Sequence, residues 1–259
     1  MNLHFYKYQG TGNDFIMIDN RNLAFPVSNI RLIKNLCDRR FGIGADGLIL
    51  LENSEEVDFK MKYFNADGNE GSMCGNGGRC IVAFANKLNI IKNSTSFNAI
   101  DGLHYATINQ SIVNLKMADV TKIEVFKNHL FLNTGSPHHV TFCDTIENLN
   151  VKKLGSKIRN GSPYFDEGTN VNFVEQVSSN SFNVRTYERG VEDETLACGT
   201  GVTAVAIAAN KINKTSKNSI KLNVLGGQLE VSFNIEEGTY KNVFLKGPTQ
   251  LIFEGKITI

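Results

Sequence analysis

A helix start that occurs twice constrains this chain more than any other feature. One copy runs Asn69-Glu70-Gly71-Ser72-Met73-Cys74-Gly75-Asn76-Gly77-Gly78-Arg79-Cys80 and continues through Ile81-Val82-Ala83-Phe84-Ala85-Asn86-Lys87. The other runs Asp193-Glu194-Thr195-Leu196-Ala197-Cys198-Gly199-Thr200-Gly201-Val202-Thr203-Ala204 and closes on Ala209-Asn210-Lys211. Each has an acidic lead-in, a cysteine, Gly-x-Gly, an apolar segment and a final Asn-Lys. The copies stand 124 positions apart, too far for a solenoid period, so the chain reads as a duplicated domain.

The register extends beyond the helix. Phe41, Gly44 and Tyr63 recur as Phe165, Gly168 and Tyr187 at the same offset, and Thr11-Gly12-Asn13 recurs upstream as Thr134-Gly135-Ser136. Downstream, the Asp101-Gly102 turn matches Gly226-Gly227. Within each half the pattern alternates strands with two helices. Phe15–Ile18 and Leu48–Leu51 read as strands, and Val57–Phe64 alternates as a half-buried one. Ser28 is expected to cap a helix running to about Arg39. Segments near 95–100, 103–109 and 112–118 read as a meander, and their hairpin-length turns argue against a purely parallel sheet. The expected fold is α/β, with two pseudo-symmetric halves at 1–120 and 121–249, each a mixed, mostly antiparallel sheet wrapped around its cysteine helix. A last strand at 250–259 could pair with either half.

Charge and cysteine usage narrow the function. With 27 basic and 26 acidic side chains the net charge is +1, so no overall field favours nucleic acid or a membrane surface, and a charged ligand must be held locally. The N-terminal stretch lacks the apolar core of a signal peptide, and no apolar run approaches spanning length. The cysteines, Cys37, Cys74, Cys80, Cys143 and Cys198, are odd in number and thinly spread. That suits reduced thiols better than a disulfide framework, and a cytoplasmic protein is expected.

Cys74 and Cys198 lie where the first amides of a helix and its dipole favour thiolate. Gly75 and Gly199 would let a ligand approach those amides, which suit a carboxylate, a phosphate or a developing oxyanion. A nucleotide site lacks support: the third fingerprint glycine and the Walker lysine are missing. Zinc lacks short-spaced ligands, so no metal is expected. A cysteine hydrolase would use one nucleophile with His138 or His139 and leave the second matched thiol idle. Cys37, Cys80 and Cys143 read as small core side chains. Proton transfer remains: two thiols on opposite faces of one carbon, one accepting a proton and the other donating one.

Asn65-Ala66-Asp67-Gly68 with Cys74-Gly75-Asn76-Gly77-Gly78-Arg79-Cys80, and Tyr187-Glu188-Arg189-Gly190 with Cys198-Gly199-Thr200-Gly201, closely resemble the diaminopimelate epimerase family. Gly10-Thr11-Gly12-Asn13-Asp14-Phe15 carries the likeness to the start of the chain. The resemblance implies a pyridoxal-independent enzyme, without cofactor or metal, that interconverts LL- and meso-2,6-diaminoheptanedioate in lysine biosynthesis. It also implies two α/β domains flanking an active-site cleft, a last strand belonging to the first domain, and a homodimer. Matched by motif, Cys74 and Cys198 are the acid/base thiols. Asn13, Asn65, Asn170, Glu188 and Arg189 hold the distal end of the substrate, Gly75-Asn76 and Gly199-Thr200 receive the reacting carboxylate, and His138 and Glu188 tune the thiols. Where many members have Asn-Pro-His, this chain has Ser136-Pro137-His138, which weakens Ser136 as a ligand. A proline or hydroxyproline racemase of the same fold, and a non-enzymatic thiol redox or binding module, stay open as alternatives.

Overall fold

Alternating apolar residues give the first two strands, β1 (Asn2–Gly10) and β2 (Asn13–Asp19), paired antiparallel around Thr11-Gly12. Both turn residues have positive φ, 57° at Thr11 and 86° at Gly12, the signature of a two-residue hairpin whose twist matches its strands. Glycine adopts that conformation readily, whereas a β-branched threonine there is strained. The computed structural model describes residues 2–259. It divides into two compact units, Met1–Leu115 with Gly247–Ile259, and Lys116–Lys246.

In the first unit, α1 (Ile30–Cys37) is followed by β3 (Gly47–Glu52), β4 (Phe59–Asn65), α2 (Gly75–Lys87), β5 (Ser94–Ala99), β6 (Gly102–Asn109) and β7 (Ile112–Lys116). The cap of α1 is Asn29 rather than Ser28: its carbonyl accepts the first helical bond from Ile33, and its Oδ1 accepts from the Leu32 N–H at 3.1 Å. The helix also stops short of Arg39. Asp38 turns extended, and its carboxylate takes the Arg40 and Phe41 amides. Strands β2 and β3 run parallel, as do β4 and β5, while β3–β4, β5–β6 and β6–β7 are antiparallel. Every residue of β3 is buried, because a helix covers each face of the sheet there. Ile16, Ile18, Leu48 and Leu50 pack with Ile33 and Leu36 of α1. On the opposite face Phe15, Ile49 and Met61 approach Gly77 of α2.

The second unit repeats this plan with β8 (Ile123–Val125), β9 (Leu130–Asn133), β10 (Pro137–Cys143), α3 (Val151–Asn160), β11 (Asn170–Ser178), β12 (Ser181–Glu188), β13 (Asp193–Thr195), α4 (Gly199–Lys211), β14 (Ser219–Val224), β15 (Gly227–Glu236) and β16 (Thr239–Pro248). The pairing pattern is the same: β9–β10 antiparallel, β10–β11 parallel, β11–β12 antiparallel, β12–β14 parallel, then β14–β15 and β15–β16 antiparallel. Helix α4 is apolar nearly all round, with Val202 through Ala209 buried, as expected of a helix enclosed by its sheet. Helix α3 covers the outer face, where Ile146, Val151, Val171, Phe173 and Tyr187 cluster. The last strand, β17 (Gln250–Thr258), pairs antiparallel with β1 from Asn2↔Thr258 to Gln9↔Gln250 and belongs to the first unit.

Candidate active site

Cys74 and Cys198 are the N-cap residues of α2 and α4. Both have extended backbone, φ/ψ −103/127 and −120/112, and neither sulfur caps its own helix. The helical ladders begin at Gly78 N–H to Cys74 O, 2.7 Å, and Val202 N–H to Cys198 O, 3.0 Å. The amides of Gly75–Gly77 and Gly199–Gly201 therefore lie ahead of the ladder, at the positive ends of two long helices. The second glycine of each Gly-x-Gly has a packing role. A Cβ on Gly201 would lie 2.6 Å from Asn172 Oδ1, and one on Gly77 would lie 3.0 Å from Ile49 Cδ1.

In the first unit the β1–β2 turn delivers Asn13 to Cys74. The Cys74 thiol donates to Asn13 Oδ1 at 3.5 Å, and Asn76 Nδ2 donates to the same oxygen at 3.3 Å. Asn13 Nδ2 donates in turn to Asp46 Oδ2. Asp46 and Asp14 share Arg39, with 2.7 Å contacts to each, and Asp14 also pairs with Lys7 at 2.9 Å. Burial raises the Asp14 pKa, but the hydrogen bonds from Arg39 and Lys7 outweigh it and hold the carboxyl well below its usual range. Asn65 stands at the exposed end of β4, its amide nitrogen against Gly71. Gly75 and Asn76 are buried in the first turn of α2.

In the second unit a chain of polar side chains reaches Cys198. Thr186 Oγ1 donates to Asn172 Oδ1 at 3.0 Å, while Asn172 Nδ2 donates to the His139 carbonyl at 3.0 Å. Those two bonds fix the amide orientation, so Asn172 Nδ2 also donates to His138 Nδ1, 3.1 Å away. With Nδ1 accepting, the imidazole proton sits on Nε2 and is given to Thr200 Oγ1 at 2.9 Å. The Thr200 hydroxyl, 3.5 Å from Cys198 Sγ, is then placed to donate to the thiolate or to accept from the thiol. His138 is fully buried, and burial first, then the Arg189 charge, push its pKa down to about 3. It is therefore a neutral donor at neutral pH.

Asn170, 3% exposed, donates through Nδ2 to Ser136 Oγ at 2.8 Å and to the Pro137 carbonyl at 3.0 Å, and accepts the Arg189 amide on Oδ1 at 2.9 Å. The Ser136–Asn170 pair occupies the same duplicated positions as Asn13–Asp46. Arg189 Nη1 donates to the Glu167 carbonyl at 2.8 Å, and Glu188 accepts from Thr195 Oγ1 at 2.9 Å. Cys37 and Cys80 are buried core side chains, pushed up to about 12 by burial, whereas Cys143, read from sequence as a core residue, is only half-buried against the core, with burial raising its thiol pKa.

Two residues that sequence reasoning passed over belong to these networks. Asn172 was legible in principle. Asn170 and Asn172 sit two apart in an apolar strand, so both point to one face, and a buried amide pair there calls for partners. Asp46 lies before β3 in a glycine-rich loop, and nothing local marks it.

A cysteine at the N-cap position of the central helix in each duplicated α/β unit defines a class of protein, and solved structures share the fold. A phenazine biosynthesis protein of the PhzF family from Bacillus anthracis aligns with a TM-score of 0.80 at 12% identity over all of both chains. A hydroxyproline epimerase from Agrobacterium vitis aligns at 0.70 and 13%, over 99% of this chain and 92% of its own. At such identities the likeness is one of fold alone. The diaminopimelate epimerase family model matches residues 5–122 and 130–252. A diaminopimelate epimerase from Flavobacterium psychrophilum is 62% identical over 253 residues, covering 97% of this chain and 99% of its own. One from Chlorobaculum tepidum is 41% identical, over 96% and 99%. The chain belongs to the diaminopimelate epimerase family.

Proposed function

We propose that this protein interconverts LL- and meso-diaminopimelate by proton transfer between two thiols. The observation that carries the reading is a cysteine at the N-cap of each duplicated helix, in a chain 62% identical over nearly its whole length to a diaminopimelate epimerase. One cysteine, as thiolate, removes the α-proton. The carbon–hydrogen bond breaks, and its electron pair spreads onto the adjoining carboxylate. The first-turn amides of α2 and α4 stabilise that developing charge, which is the reason the reaction can proceed without pyridoxal phosphate. The other cysteine, as thiol, gives its proton to the opposite face of the carbon, inverting it. The two sulfurs thereby exchange protonation states.

Asn13, Asn65, Asn170, Glu188 and Arg189 are assigned to the distal end of the substrate. A guanidinium pairs bidentately with a carboxylate, and amide and carboxylate oxygens accept from an ammonium. The enzyme is further proposed to be a cytoplasmic homodimer. Among the described residues no helix is long and apolar enough to cross a membrane.

Incubation in deuterium oxide tests the function. LL-diaminopimelate should gain deuterium at one α-carbon as the meso isomer forms, while proline and hydroxyproline stay unlabelled. Labelling of proline in place of diaminopimelate would transfer the reading to the racemases of this fold. Absence of exchange from either would point to a binding module.

A further inference from the structure

Asp46 gives the first unit a hydrogen-bond polarity that the second unit lacks. Its carboxylate is held from two sides: Arg39 Nη2 donates to Oδ1 at 2.7 Å, and the Asp14 amide donates to Oδ2 at 3.2 Å. The Asp46 amide returns a bond to Asp14 Oδ1 at 3.0 Å. Oδ2 also takes Asn13 Nδ2, at 2.5 Å. A carboxylate paired with a guanidinium offers only acceptors, so the Asn13 amide has one orientation, nitrogen toward Asp46 and oxygen away from it.

That oxygen lies between two donors. Cys74 Sγ donates to it at 3.5 Å and Asn76 Nδ2 at 3.3 Å. A carbonyl oxygen accepts from a thiol, whereas it repels a thiolate across the same gap. Asn13, assigned by motif to the distal end of the substrate, thus also touches a reacting sulfur, and Asp46 decides which of its atoms does so.

The duplicated pair is wired in the opposite sense. Asn170 stands at the Asp46 position and Ser136 at the Asn13 position. There Asn170 Nδ2 donates to Ser136 Oγ at 2.8 Å, its orientation fixed by the Arg189 amide on Oδ1. The turn residue gives a hydrogen bond in the first unit and receives one in the second, so the fold itself does not require a carboxylate at this position. Other charges act on Cys74 too. On its own helix the dipole and the Arg79 guanidinium favour thiolate, while Cys80, pushed up to about 12 by burial, stays a neutral thiol. On β1, β2 and the loop before β3, Lys7 and Arg39 are paired with Asp14 and Asp46.

We propose that Asp46 is a positioning residue of the first half-site: by accepting from Asn13 Nδ2 it turns the Asn13 oxygen onto Cys74 and holds that cysteine as the thiol, the proton donor, before substrate binds. The pseudo-symmetric scaffold thereby enters its cycle with unequal ends, Cys74 as the acid and Cys198 as the base. The inference rests on the two-thiol reading of the site, but its test reads the sulfurs themselves and needs no substrate.

The test is the pH dependence of iodoacetamide alkylation of each thiol, read by peptide mass spectrometry on the full chain. In the unaltered protein Cys74 should reach half-maximal reactivity at higher pH than Cys198; equal or reversed order overturns the proposal. In Asp46→Asn, Arg39 takes the oxygen of the new side chain, which leaves its nitrogen facing Asn13 and lets the Asn13 amide turn over. The Cys74 midpoint should then fall by about half a pH unit or more, with Cys198 unmoved as the internal reference. Loss of a nearby negative charge alone would also lower that midpoint. Asn13→Ala separates the two causes, because it keeps the Asp46 charge and removes only the oxygen, and the Cys74 midpoint should fall there as well. A Cys74 midpoint that stays in place in either folded variant, or a Cys198 midpoint that moves with it, overturns the proposal. Should Asp46→Asn not fold, Asn13→Ala and the order of the two thiols in the unaltered protein still decide.

Discussion

His138 Nε2 stands 2.9 Å from Thr200 Oγ1, and that hydroxyl is 3.5 Å from the sulfur of Cys198. The imidazole is neutral and its proton already points down the chain, so it orients the threonine rather than acting as an ion beside the thiol. Asn172 enforces this by donating to Nδ1. Thr200→Val should therefore lower kcat by about 10-fold or more with a smaller change in KM, because the hydrogen bond acts on the sulfur and not on distal binding. A variant with kcat intact would leave the relay without a catalytic role.

Cys74→Ala and Cys198→Ala should each lower epimerisation by about 1,000-fold or more, with unchanged circular dichroism. Each leaves one face of the α-carbon without a proton carrier. Residual activity near the unaltered level in either variant would exclude the two-thiol cycle.

Gly201→Ala places a Cβ 2.6 Å from Asn172 Oδ1, in a strand that has no room to retreat. The expected result is a loss of stability of about 2 kcal/mol in urea unfolding and a fall in kcat as Asn172 is pushed off His138. Gly238→Ala is a useful contrast, since its Cβ would meet nothing within 4 Å and only the positive φ is strained.

Acid should unfold the second unit through its histidines. Burial is the first cause holding both His138 and His139 down at about 3, against an ordinary value of 6.5. Between those values the unfolded chain binds more protons than the folded one, so stability rises with pH across the window and is lost as pH falls from 6.5 toward 3. Each histidine contributes roughly 1.4 kcal/mol per pH unit within it. Urea midpoints of the unaltered protein and His139→Gln should diverge most near pH 7 and converge as pH falls.

The part of the fold that could be read from sequence is the part carried by repetition. Cys74 and Cys198, Thr11 and Thr134, and Tyr63 and Tyr187 announce two matched units because the chain states them twice. Strand β3 was legible as an apolar run bounded by glycine and turn residues. Asn29 was not, since Ser28 beside it is an equally good cap and only the path of the preceding loop decides between them. The site was legible where it sits on the repeated helix start. It was hidden where it depends on a residue such as Asn172, whose partners lie on other strands.

The pairing of β1 with β17 has a consequence for how the chain is made. The edge of β1 from Asn2 to Gln9 is satisfied by a strand that ends at Thr258. Everything between, including the whole second unit, leaves the ribosome first. The second unit can thus mature while the first still shows an open strand edge, the kind of surface that recruits unwanted partners. For the time of synthesis, the unit translated earlier is the last to be finished.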